Sequence, residues 1–165
     1  MRKNILPAKA ITFFTVFVLY IITSPSIVIG APARDASAAF GDVEGIEWVL
    51  SEVKTGGITV KIDRQKLETD GMGGFFTISF QEGRLNGIGA PNRYFGPYTA
   101  AANRTLIVGN VASTMMLAFK EPDELKESEY FDYLSKIKRW DLWEGKLELY
   151  SVNNNEDLTI LIFNH

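Results

Sequence analysis

The chain has 165 residues, with 17 Lys and Arg against 20 Asp and Glu, one His and no Cys, for a formal net charge of −3. Without cysteine there is no disulfide, no thiolate metal site and no cysteine nucleophile, and a single histidine at His165 argues against histidine-zinc centres and Ser-His-Asp triads. The acidic balance speaks against nucleic acid as a partner, and 46% hydrophobic with 22% charged residues is the composition of a folded domain.

Residues 1–33 differ from the remainder. Arg2, Lys3 and Lys9 precede a compact apolar run from Ile11 to Ile22, Pro25 interrupts any helix, and small residues follow, with Ala31-x-Ala33 and Ala36-x-Ala38 as cleavage sites. The order is that of a secretory signal, cut at 33 or as late as 38, with an uncleaved membrane anchor as the alternative. The 12-residue run is shorter than the roughly 20 residues that span a bilayer. The segment carries three basic residues and no acid, so its removal takes the net charge from −3 to −6. The expected product is exported, periplasmic or secreted, without stable membrane insertion. Residues 34–45 are small and polar and read as a leader, and 46–165 as one domain.

Within that domain the patterning is mostly of period two. Trp48 and Leu50 open a strand, and Ile58, Val60 and Ile62 alternate with polar residues. After the loose Gly71-Met-Gly-Gly74 connection, Phe76, Ile78 and Phe80 alternate again. Glu82-Gly83 is a hairpin turn into Arg84–Ile88. Thr105–Val108 is a short strand, and Val111–Leu117 a further candidate. From Glu121 to Lys138 the period changes: Leu125, Phe131, Leu134 and Ile137 fall on one helical stripe, with Pro122 in the first turn, acids early, and Lys136, Lys138 and Arg139 at the end. Three strands follow, joined by Glu144-Gly145 and by Asn153–Asp157. In the last, Leu158, Ile160 and Ile162 face one way and Leu161 and Phe163 the other, so the helix is expected to cover its outer side. The reading is a mainly β protein, a small antiparallel barrel or curled sheet with one helix inserted before the last three strands.

The domain resembles the META domain, the family of the bacterial heat-inducible protein HslJ. The motifs that carry the resemblance are Trp48-x-Leu50; Gly87-Ile-Gly-Ala-Pro91-Asn92-Arg93-Tyr94 followed by Gly96-Pro-Tyr98; Ser113-Thr114-Met-Met116-Leu-Ala118; Glu129-Tyr-Phe-Asp-Tyr-Leu134; and Leu147-Glu-Leu149. The family's two cysteines are replaced together, by Pro91 and Ala118, and Ala90 stands where the family prefers Gly. The resemblance implies a lipocalin-like barrel carrying a helix, a setting in the bacterial cell envelope linked to heat shock and other stress, and no enzyme activity. Trp48, Gly87, Asn92, Tyr94, Gly96, Thr114, Met116, Leu134, Leu147 and Leu149 are then structural motif residues.

Candidate binding residues are Asn92, Tyr94, Tyr98 and Trp143. Asn92 with the two tyrosines would make an aromatic patch around an amide; the competing role for Asn92 is to satisfy backbone groups in an irregular loop with Tyr94 beneath it. Trp140 and Trp143, three apart on a strand, point to opposite faces, with Trp143 outward beside Asp141. Thr114, Met115 and Met116 are expected in the core, with a soft pocket lining as the alternative. No residue is assigned to catalysis, a metal or a cofactor. The acids Glu82, Glu144 and Glu148 lie near no evident substrate pocket, and Asn153–Asp157 is better explained by hairpin chemistry than by calcium. Gly87, Gly89 and Gly96 lack the strand–helix context of a phosphate loop. The functional expectation is a monomeric, non-enzymatic domain that contacts an unidentified envelope protein. A barrel binding a small ligand in its interior is the alternative, and an inhibitor of a secreted hydrolase such as lysozyme ranks behind it.

Overall fold

Ten strands, two α-helices and a short 3-10 helix (Phe40–Asp42) make up a computed structural model that describes residues 38–118 and 120–165. The signal segment, the Ala31-x-Ala33 site, the Ala36-x-Ala38 site except Ala38, and the start of the leader lie outside the described residues. The strands are β1 (Glu47–Thr55), β2 (Ile58–Lys61), β3 (Thr77–Gln81), β4 (Arg84–Ile88), β5 (Arg93–Ala101), β6 (Thr105–Val108), β7 (Ala112–Ser113), β8 (Ile137–Trp143), β9 (Lys146–Val152) and β10 (Leu158–Asn164). The helices are α1 (Arg64–Thr69) and α2 (Glu127–Ser135). Pairing is antiparallel in the order β10-β9-β8-β6-β5-β4-β3-β1, and β1 pairs with β10 to close an eight-stranded barrel; β2 and β7 are additions outside it.

The expected alternation places the core. Ile78, Phe80, Leu85, Leu147, Leu149, Leu161 and Phe163 are all fully buried inside the barrel. On β1 the phase changes: Trp48 and Leu50 point inward, and so does Val53, an odd step that a bulge between Leu50 and Glu52 makes possible. The predicted hairpins form with both turn residues left-handed, at Glu82-Gly83 (φ 49° and 77°) and Glu144-Gly145 (φ 48° and 73°). In the Asn153–Asp157 turn, Asn153 Oδ1 accepts from the N–H groups of Asn155 and Asp157, each at 2.9 Å.

Four expectations are corrected. First, α1 was not expected: Asp63 caps it by accepting from the Lys66 N–H at 2.9 Å, and only Leu67 is buried. Second, the helix before the last strands is shorter. It runs from Glu127 to Ser135, so Pro122 precedes it, while Ile137, Lys138 and Arg139 belong to β8. Leu125 and Ile137 are buried as the stripe requires, but in a loop and a strand. Third, α2 does not lie over the outer side of β10. Its buried residues Tyr130 and Leu134 join the core formed by the barrel's inward side chains, and Leu158 at the start of the outer row is 47% exposed. Fourth, the strand expected over Val111–Leu117 stops at Ser113, and Thr114, Met115 and Met116 are exposed instead of packed.

Candidate functional site

The family-like motifs converge where β5 meets the N-terminus of α2. Between β4 and β5 the chain makes a tight loop through a cis Ala90–Pro91 bond. Its backbone donors are gathered by Glu127, the first residue of α2. Glu127 Oε1 accepts from the N–H groups of Ala90 (2.5 Å) and Asn92 (2.7 Å), and Oε2 accepts from Asn92 Nδ2 (2.6 Å). These are charge-assisted bonds, stronger than neutral ones. The close approach requires Gly89, because a Cβ there would sit 2.5 Å from Glu127 Oε1 and 2.8 Å from Phe131 Cζ.

Asn92 passes the connection on to the segment after β7. Its Oδ1 accepts from the Met116 N–H (2.6 Å) and from Thr114 Oγ1 (2.8 Å), and its Nδ2 donates to the Met116 carbonyl (3.2 Å). The Thr114 N–H adds a bond to the Arg93 carbonyl at 3.0 Å. The backbone of 114–116 is therefore fixed while its side chains stand outside: Met115 is 97% exposed, Met116 60% and Leu117 93%.

Beneath this loop the Tyr94 hydroxyl donates to the Thr77 carbonyl at 2.7 Å and lies 2.9 Å from the Tyr130 hydroxyl. The Tyr130 ring meets those of Phe76 and Tyr94 edge-on. Burial, reinforced by Tyr130, pushes the Tyr94 hydroxyl well above the ordinary tyrosine pKa, and burial does the same to Tyr130. Gly87 lies opposite Tyr94 in the β4–β5 register, where a Cβ would come within 2.0 Å of the Thr77 carbonyl oxygen and 2.7 Å of Tyr94 Oη. At Gly96 a Cβ would lie 3.0 Å from the Asn110 carbonyl oxygen.

Of the candidate binding residues, Asn92, Tyr94 and Tyr98 are buried and engaged internally, and Trp143 is half-buried at the end of β8. Tyr98 hydrogen-bonds Glu44, and its pKa is pushed up to about 12 by burial first and by that bond second. Trp48, Leu134, Leu147 and Leu149 are core residues. Tyr98 does not join the Asn92 loop: its ring packs with those of Phe40 and Phe80.

Two features were not read from the sequence. One is the role of Glu127. The other lies outside β8, where the buried Asp141 carboxylate meets Arg104 at 3.1 Å and Arg139 at 3.4 Å. Arg104 also lies over the Trp140 ring, 4.6 Å from its centre. The only local hint was an Asp between two tryptophans, since its partner Arg104 comes from the β5–β6 turn. Among the described residues no group of three or more His, Cys, Asp or Glu converges as a metal site would require, and no helix is long and apolar enough to cross a membrane.

Two solved structures share the fold. A protein from Burkholderia xenovorans, solved by NMR, is 23% identical with a TM-score of 0.60, covering 87% of this chain and 97% of its own. A DUF4847 family protein from Bacteroides vulgatus, solved by crystallography, is 15% identical with a TM-score of 0.51, covering 78% of this chain and 97% of its own. A search of the curated proteins finds no match. The META domain family matches residues 41–161, a span that takes in the barrel up to the middle of β10, the Asn92 loop and α2. This chain therefore belongs to the META domain family.

Proposed function

We propose that the protein is an exported, non-enzymatic contact module of the bacterial cell envelope, related to stress, and that it meets a protein partner through the segment 114–118. The observation that carries this reading is the contrast at that segment: the backbone is pinned by Asn92, yet Met115 and Leu117 are almost wholly exposed. An ordered backbone has little backbone entropy left to lose on binding, and methionine adapts to irregular partner surfaces. Export is supported by the basic, apolar, small-residue order of the first 33 residues. A ligand inside the barrel is disfavoured by the filling of its interior with Trp48, Leu50, Phe76, Phe80 and Phe163, each at most 1% exposed.

The test places a photo-crosslinking residue at Leu117 in cells, with Ile58 on the β2 hairpin, itself 66% exposed, as the control position. The expected result is a discrete protein adduct from position 117 in the envelope fraction, absent from position 58 and abolished by Met115→Ser. No adduct at 117, or the same adducts at both positions, overturns the contact reading. Recovery of the chain in the cytoplasm with residues 1–33 intact overturns export separately.

A further inference from the structure

The inward rows of β1, β9 and β10 change character at one end of the barrel. Val53, Leu161 and Leu149 face one another across the β1–β10 and β10–β9 pairs and make an apolar rung. The next inward rung in the same strands is Thr55, Thr159 and Ser151, in register by the same pairings. Three neighbouring strands thus switch together from branched aliphatic side chains to hydroxyls. Ser151 is only 2% exposed and Thr159 6%, and the Thr159 hydroxyl donates to Thr55 Oγ1 at 3.0 Å.

These hydroxyls line a cavity of about 640 Å³, bounded by the Gly56-Gly57 turn, by Tyr133 and Lys136 of the α2 end, and by Asn153, Asp157 and Leu158 of the last hairpin. That volume falls inside the range of about 300–1,000 Å³ typical of small-molecule sites.

We propose that this mouth is a binding site for an uncharged polyhydroxylated ligand of mono- or disaccharide size. The floor offers the Thr55 and Ser151 hydroxyls as donors and acceptors and the Thr159 oxygen, whose proton is given to Thr55, as an acceptor, which is a set that ligand hydroxyls can match. The rim adds the Asn153 amide, the Tyr133 ring and two carboxylates, Asp132 and Asp157, against one ammonium, Lys136. Lys136 is already paired with Asp132 at 2.7 Å, and Asp157 with Asn153 Nδ2 at 3.0 Å. The net negative rim disfavours anionic ligands such as sugar phosphates and uronic acids. The two turn glycines, with φ 55° and 78°, present backbone without side chains and leave the entrance open. The site is independent of the 114–118 segment.

The test uses the full-length chain, isotope-labelled and kept in a detergent with no sugar headgroup. The probes are cellobiose, N,N′-diacetylchitobiose and galactose, with galacturonate as the charged comparison. Binding is read from the amide resonances of Gly56, Gly57, Ser151 and Asp157. At least one neutral probe is expected to shift these amides saturably in the millimolar range or below. Thr159→Val and, as a second variant, Ser151→Ala should each weaken that binding by about tenfold while the rest of the spectrum is unchanged. No saturable shift at these amides up to about 50 mM of any neutral probe overturns the proposal. So does binding that both variants leave intact, or galacturonate binding more tightly than galactose.

Discussion

Replacing Asn92 by Ala removes the joint between the Ala90–Asn92 loop and the segment that follows β7. Three of its bonds hold that segment: those to Thr114 Oγ1, the Met116 N–H and the Met116 carbonyl. At about 1 kcal/mol each, their loss frees 114–116 by about 3 kcal/mol. Since about 1.4 kcal/mol is a factor of ten, the Met116 amide should exchange with solvent about 100-fold faster in Asn92→Ala than in wild type. The Tyr98 amide, which bonds the Gly83 carbonyl at 2.9 Å and lies outside that segment, is an internal control. Native-state hydrogen exchange by NMR measures both. Unchanged protection at Met116 refutes the clamp. Equal acceleration at Tyr98 and Met116 refutes its local character, because it signals global destabilisation.

Three further outcomes are expected. Gly87→Ala would set a Cβ 2.0 Å from the Thr77 carbonyl oxygen and should cost about 3 kcal/mol or more, read as a lower urea midpoint; an unchanged midpoint contradicts the close packing of β3 and β4 around Tyr94. Asp141→Ala leaves the Arg104 guanidinium without its buried carboxylate, so a loss of about 3–5 kcal/mol is expected in the same assay, and a loss below about 1 kcal/mol would show that the pair is dispensable. Tyr94 and Tyr130 hold their protons more tightly folded than unfolded, so their contribution is fully present below the unfolded pKa of about 10 and is lost as pH rises toward their folded values. Stability should therefore fall above about pH 10, less steeply in Tyr130→Phe, and tyrosinate absorbance should rise with unfolding and not before it. An identical pH slope in wild type and variant contradicts that assignment.

What was legible in the sequence followed short-range periodicity. Phe76, Ile78 and Phe80 share a face because strand side chains alternate, and Glu82-Gly83 and Glu144-Gly145 turn as their left-handed conformations demand. Reading failed where burial had a cause beyond the local element. Leu125 and Ile137 extended the apparent helical stripe, although a loop and β8 bury them. Met115 and Met116 look like core residues by composition, yet β7 pairs with β5 only through Ser113, and no further strand draws them inward. The site itself was half visible. Asn92 stood out, but its carboxylate partner lies 35 residues away on another element, and Arg104 finds Asp141 only through the strand order. The hydroxyl rung is likewise spread over three separate strands. No local pattern marks Thr55, Ser151 and Thr159 as neighbours.

The pairing of β1 with β10 also governs when the domain is finished. The seam joins residues 49–55 to 159–164, so the barrel's first strand waits for its last. A chain emerging from a ribosome or a translocation channel can form its β3–β4 hairpin early, but it cannot close the barrel until β10 is free. Until then the β1 edge that β10 will occupy is an open template for other strands. Deletion of β10 would do more than shorten the sheet. It would convert a closed barrel into a sheet with two unprotected edges, prone to pair with another copy of itself.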